Sequence, residues 1–132
     1  MYFTHVNNEK QKVMSEKLME DCLFCKIISG KIPCERVYED ENCLAFRDIA
    51  PKAPTHFLLV PKTHVENVHS INDENGEIAK NLFAAVAKIV KQYKLDESGY
   101  RMVVNSGKNG RQTVFHLHIH ILGGKKMGWS PA

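Results

Sequence analysis

Val114 to Gly124 reads VFHLHIHILGG, which places imidazoles at His116, His118 and His120 and aliphatic residues at Leu117, Ile119 and Ile121. Successive side chains of a strand point to opposite faces. The three histidines then share one face, about 7 Å from neighbour to neighbour, and the aliphatic residues share the other. The aliphatic face needs only a helix to cover it. The imidazole face admits three readings. It is a solvated side of a sheet, or a metal-binding face, or a nucleophilic site acting on phosphorus. Three rings this close cannot all be cationic at neutral pH without repulsion. Three in-line ligands also splay too far to close a zinc tetrahedron without a partner from elsewhere. Neutral imidazole, by contrast, is a good nucleophile near pH 7. The middle ring, His118, has a neighbour on each side to position phosphoryl oxygens and move protons. Attack needs one ring nitrogen bare while the other keeps its hydrogen, usually on a backbone carbonyl. Just upstream, Asn105, Ser106, Gly107, Gly110, Gln112 and Thr113 offer small residues and N–H groups suited to cradling a phosphate.

These side chains require a sheet to carry them. Residues 1–20 are polar and read as an extension, helical from Glu9 to Glu20, with one domain over 21–132. Phe24 to Ser29 reads as a short helix stopped by Gly30. Arg36 to Glu39 and Cys43 to Arg47 read as strands joined by a polar turn. His56 to Val60 is a third strand, ended by Pro61. Asp73 is the expected cap of one long helix reaching Lys94, with Ile78, Leu82, Phe83, Val86, Ile89, Val90 and Tyr93 at helical spacing. Tyr100 to Asn105 and Thr113 to Leu122 complete the strands. The order β-β-β-α-β-β implies an α+β fold: a five-stranded antiparallel sheet with one long helix and a short N-terminal helix, the helices packed on one face.

Composition narrows the classes. The chain has 132 residues and a formal net charge of +3, with its basic residues scattered. That charge is too mild for a nucleic-acid partner, yet it suits a site that receives a small anion. No apolar run is long enough to span a bilayer, so no membrane partner is expected. The N-terminus lacks an apolar signal region. Four cysteines without an export signal point to a reducing compartment, and a cytoplasmic location is expected.

The segment His116-Leu-His118-Ile-His120-Ile-Leu matches the signature of the histidine-triad superfamily. The match extends through Leu122-Gly123-Gly124 and Trp129-Ser130-Pro131. It also takes in Ile32-Pro33, Tyr38-Glu39-Asp40, Leu44-Ala45-Phe46, Asp48-Ile49, Ala53 to Phe57 and Val60-Pro61-Lys62. The chain resembles the Hint branch, the histidine triad nucleotide-binding proteins. It is less similar to the dinucleoside polyphosphate hydrolases, which carry a different segment after the triad. It is also unlike the nucleotidylyltransferases, which have glutamine where His120 stands. The resemblance implies a HIT-like fold and a purine nucleoside phosphoramidase. In that enzyme His118 attacks the α-phosphorus to form a nucleotidyl-histidine that water opens, with His116 and His120 flanking it. Asp48 matches a ribose ligand. Leu23, Phe24, Ile27, Ile32, Phe46 and Ile49 match an apolar slot for the base. Asn105, Gln112 and Thr113 match phosphate and leaving-group contacts. A homodimer is implied, with the tail around Trp129 shaping the partner's site. The chain departs from the branch at Arg47 (often histidine), Arg111 (often glycine) and Thr113 (often serine). The alternatives are a nucleotide-binding scaffold with incidental hydrolysis and a dinucleoside polyphosphate hydrolase.

Cys22-Leu-Phe-Cys25 admits a redox pair, two ordinary thiols, or half of a Cys₂His₂ zinc site completed by His64 and His116. Some histidine-triad relatives hold structural zinc on equivalent positions, and Pro61-Lys-Thr-His64 matches their third ligand. Cys34 and Cys43 read as free thiols, and His5 and His69 as surface residues. The position of His56 lies near the triad in the family, which implies a supporting role.

Overall fold

The computed structural model describes residues 21–129. The helix expected from Glu9 to Glu20 lies outside the described residues, as do Ser130 and Pro131. Helix α1 spans Leu23–Ile28, and Cys22 caps it by accepting the Cys25 N–H on its Sγ at 3.4 Å. It is followed by Gly30 at φ +86°, a conformation that glycine adopts without strain. Strands β1 (Arg36–Glu39) and β2 (Cys43–Arg47) have the expected bounds. Asp40 turns the chain between them, its Oδ1 accepting from the N–H groups of Asn42 and Cys43 at 2.7 Å each. Strand β3 is Thr55–Pro61. A 3₁₀ turn at Val68–Ser70 precedes helix α2 (Glu77–Gln92), the short helix α3 (Leu95–Ser98), β4 (Tyr100–Val103) and β5 (Ile119–Gly123).

All pairs in the sheet are antiparallel, in the order β1-β2-β3-β5-β4. Alternation along each strand builds two cores. Cys43, Ala45, Phe57, Leu59, Leu117, Ile119 and Ile121 face α2 and meet Ile78, Leu82, Ala85, Val86, Ile89 and Val90. Leu44, Phe46, Leu58 and Val60 face the other way and meet Cys22, Phe24, Cys25 and Ile27 of the α1 segment. The two helices therefore lie on opposite faces, against the expectation that one face carries both. The physical reason is that both parities of β2 and β3 are apolar, so each side of the sheet needs a cover.

Other differences are local. Helix α2 begins after Gly76 rather than at Asp73. Asn72 accepts from the N–H groups of Glu74 and Asn75, and Asn75 accepts from that of Asn72, so this side-chain turn delays the helix. Phe83 faces outward, 63% exposed, and Ala85 takes its expected place in the core. Strand β5 starts at Ile119 rather than Thr113. Its neighbour β3 ends at Pro61, and the Leu117 N–H goes to the carbonyl of Val65 at 2.8 Å instead. The alternation of side chains nevertheless continues back to His116: Leu117 lies in the α2 core, while Phe24 of the α1 side packs on His116 and His118.

Candidate active site and metal centre

Strand register lines up the polar side chains on the α1 face. Asp48 follows β2, and its N–H donates to the carbonyl of His56 at 3.0 Å. His56 on β3 sits diagonally from His120 on β5, since Leu58 is the residue opposite His120. Val103, the last residue of β4, also pairs with His120, so Val104 and Asn105, expected in this strand, lie beyond its ladder. A row thus runs from Asp48 through His56 and His120 to His118.

Backbone groups decide which ring nitrogens carry hydrogen. The Nδ1 of His118 lies 2.7 Å from the carbonyl of His116. A carbonyl only accepts, so Nδ1 donates and Nε2 keeps a bare lone pair. That Nε2 has no partner among the described residues. Among the described residues no fully buried side-chain nitrogen or oxygen lacks one, so the nitrogen opens to the surface although the residue is only 5% exposed. The Lys52 N–H donates to His56 Nδ1 at 3.0 Å. His56 therefore carries its hydrogen on Nε2, which donates to His120 Nδ1 at 2.9 Å and lies 3.5 Å from Asp48 Oδ2. His120 is left with a hydrogen on Nε2, pointing away from His56. Burial keeps these rings neutral. It lowers His118 and His56 below the ordinary histidine value, and it lowers His120 to about 4, helped by the neighbouring His118 and His56.

A second cluster lies behind the row. His116 is 0% exposed, and its Nε2–H donates to the carbonyl of Pro61 at 2.8 Å. Its bare Nδ1 then faces Cys22 Sγ at 3.4 Å, Cys25 Sγ at 3.5 Å and His64 Nδ1 at 3.1 Å. Cys25 Sγ is 3.3 Å from His64 Nδ1. A zinc tetrahedron with bonds of about 2.3 Å to sulfur and about 2.0–2.1 Å to nitrogen has edges of about 3.3–3.8 Å. The four side chains have nearly those spacings, and the ring hydrogen of His116 is already committed elsewhere, so the donor set fits zinc. Cys22 is held well below the usual thiol range, first by the hydrogen bond from the Cys25 side chain, while the same contact and burial push Cys25 up. Asp48, His56 and His120 also converge. There the Lys52 N–H leaves the hydrogen of His56 on the inward nitrogen, which then cannot ligate.

The HIT domain family matches residues 29–127. This chain belongs to that family. It is 47% identical over 114 residues to an uncharacterized HIT-like protein of Synechococcus elongatus, covering 86% of this chain and 99% of the relative. It superposes on the crystal structure of a HIT family hydrolase from Legionella pneumophila with a TM-score of 0.82. The two are 46% identical, over 85% of this chain and 100% of the other. A histidine triad nucleotide-binding protein from Candida albicans gives a TM-score of 0.71 at 34% identity, over 85% of each chain.

Measured against the HIT motif, the expected site residues divide into groups. His118, His120 and Asp48 come together as read. His116, expected to flank His118 and also to ligate metal, is sealed between the cysteines and the carbonyl of Pro61. Gln112, expected to touch phosphate, uses its side chain inside the loop. Its Oε1 accepts from the Gly107 N–H, and its Nε2 donates to the carbonyls of Glu66 and Val114. Asn105 and Thr113 make no side-chain hydrogen bond among the described residues. Phe24, Ile27 and Phe46 are core residues of the α1 face, whereas Ile49 stands 101% exposed on the loop after Asp48. The supporting role that the resemblance implies for His56 takes the form of its hydrogen bonds with the Lys52 N–H and His120, while the carbonyl of Pro61 went unassigned in the sequence.

Proposed function

We propose that this HIT protein is a hydrolase of purine nucleoside 5′-phosphoramidates, acting through a nucleotidyl-histidine at His118. The observation that carries this reading is the bare, outward Nε2 of His118, held in that tautomer by the carbonyl of His116. That nitrogen attacks the α-phosphorus as the P–N bond breaks, and the amine leaves with a proton drawn from water. The Nε2–H of His120 and the Asn105 amide donate to the phosphoryl oxygens, where charge develops. Asp48 accepts from the ribose hydroxyls, with Phe24, Ile27, Phe46 and Ile49 on the base side. Water then opens the phosphorus–nitrogen bond to His118. The hydrolase and nucleotide-binding names of the Legionella and Candida relatives support the reading.

Cys22, Cys25, His64 and His116 would hold zinc as a structural cross-link between the α1 segment and the sheet. A homodimer is supported by Phe83 on the outer face of α2 and by Tyr100 on the open edge strand β4. Trp129 is 95% exposed and available to a partner's site. Four free cysteines support a reducing, cytoplasmic location. Among the described residues, no helix is long and apolar enough to cross a membrane.

The test is incubation with adenosine 5′-phosphoramidate followed by a search for acid-labile nucleotide on His118. The wild type is expected to yield both the adduct and adenosine monophosphate, and His118→Ala neither. A nucleotide that binds without any adduct or turnover would favour the scaffold reading. Turnover of dinucleoside polyphosphates alone would favour the other hydrolase class.

A further inference from the structure

We infer that the Cys22/Cys25/His64/His116 centre positions the nucleophile: occupancy of the metal site fixes the ring of His118 through His116 and Phe24. The inference rests on the zinc reading above.

Two physical links join the centre to His118. The first is His116 itself. Its Nδ1 faces the two sulfurs and His64, its Nε2–H is tied to Pro61 at the end of β3, and its own carbonyl holds the Nδ1–H of His118 at 2.7 Å. Movement of the His116 backbone is therefore movement of the acceptor that sets the tautomer of His118. The second link is Phe24, which lies between the two cysteines in sequence. Its ring meets His118 edge to face, with centroids 5.0 Å apart and planes at 87°, and it also meets His116 at 6.0 Å. Edge-to-face contacts of this kind restrain ring orientation.

The segment needs such a clasp. Helix α1 has six residues, too few to persist on their own intrinsic stability. Residues 116–118 precede the ladder of β5, so His118 has no paired strand bonds fixing its backbone. Four ligands drawn from α1, from the turn after β3 and from the approach to β5 would fix these pieces relative to one another. Groups that orient a functional side chain in this way are worth about 10–100-fold in activity when lost.

The experiment uses the full chain, zinc-loaded and then stripped by chelator, with metal content verified by elemental analysis. The direct readout is the Nδ1–H of His118 in ¹⁵N-labelled protein. The zinc-loaded form should show it protected from solvent exchange, and the stripped form, still folded by circular dichroism, should lose that protection. The rate of nucleotidyl-His118 formation in a single turnover should fall at least about tenfold, with affinity for adenosine monophosphate changing less than about threefold. Unchanged exchange of the His118 proton on stripping overturns the inference, as does the absence of stoichiometric zinc. The exchange readout does not depend on substrate. A protein that shows the exchange change yet forms no adduct would count against the phosphoramidase reading alone. Should stripping unfold the chain, cobalt in place of zinc supplies a second measurement. Saturation with adenosine monophosphate is expected to shift the cobalt–thiolate absorption, because coupling between sites is reciprocal. An unshifted spectrum overturns the inference.

Discussion

Replacing His56 by leucine isolates the group that sets the tautomer of His120. The substitution keeps most of the buried volume and removes two hydrogen bonds: one from the Lys52 N–H at 3.0 Å and one to His120 Nδ1 at 2.9 Å. Each is worth about 0.5–1.5 kcal/mol net, so stability should drop by about 1–3 kcal/mol. The catalytic loss follows from one of the two. Without a donor opposite Nδ1, His120 can place its hydrogen on either nitrogen and rotate. Forfeiting about 1.4 kcal/mol of orienting energy is a factor of about ten in the productive arrangement, so kcat against adenosine phosphoramidate should fall about tenfold with KM little changed. His56→Gln is the control, because its amide can accept from the Lys52 N–H and donate to His120. It should recover most of kcat. Steady-state kinetics and urea unfolding of both variants check this. A leucine variant with full kcat, or a glutamine variant no better than leucine, would refute the reasoning.

Two further predictions concern pH and packing. His120 is held at about 4 in the folded chain against an ordinary value near 6.5, so between those values the unfolded chain binds more protons. Stability should therefore fall as pH drops from about 6.5 towards 4, and His120→Asn should flatten that slope in thermal melts. Ile121→Ala removes a fully buried side chain and should cost about 2–5 kcal/mol in urea unfolding, whereas Ile49→Ala should cost less than about 0.5 kcal/mol. With Ile49 on the base side, its alanine variant should also raise KM for the nucleotide substrate; an unchanged KM removes it from the site.

Much of the architecture was legible because the chain's local signals agree with its fold. The turn at Asp40 and the apolar runs on either side bound β1 and β2 as read. The alternation from His116 to Ile121 assigned the two faces of β5 correctly, even though its first residues are outside the ladder. Other features depended on partners remote in sequence. The start of β5 was obscured because its pairing ends where β3 meets Pro61. Phe83 is expected in the helical stripe, but the side of α2 that meets the sheet carries Leu82, Ala85, Val86 and Ile89, and Phe83 points away from it. Gln112 looked like a phosphate ligand because its type and loop suggested one, while its real partners, Glu66 and Val114, belong to the surrounding backbone.

By itself, the sequence determined which chemistry is available: neutral imidazoles on one face of a strand, a pair of thiols, a carboxylate after β2, and enough aliphatic surface for a sheet with helical cover. Periodicity and turn chemistry act over a few residues, and a single chain displays them openly. Tertiary structure decided what each imidazole does. Whether a ring nitrogen holds a hydrogen or a lone pair is set by the group that faces it, and those groups are the carbonyls of His116 and Pro61 and the N–H of Lys52. Similar side chains thus become an open nucleophile, a sealed metal ligand and a donor, because folding brings a different backbone atom to each.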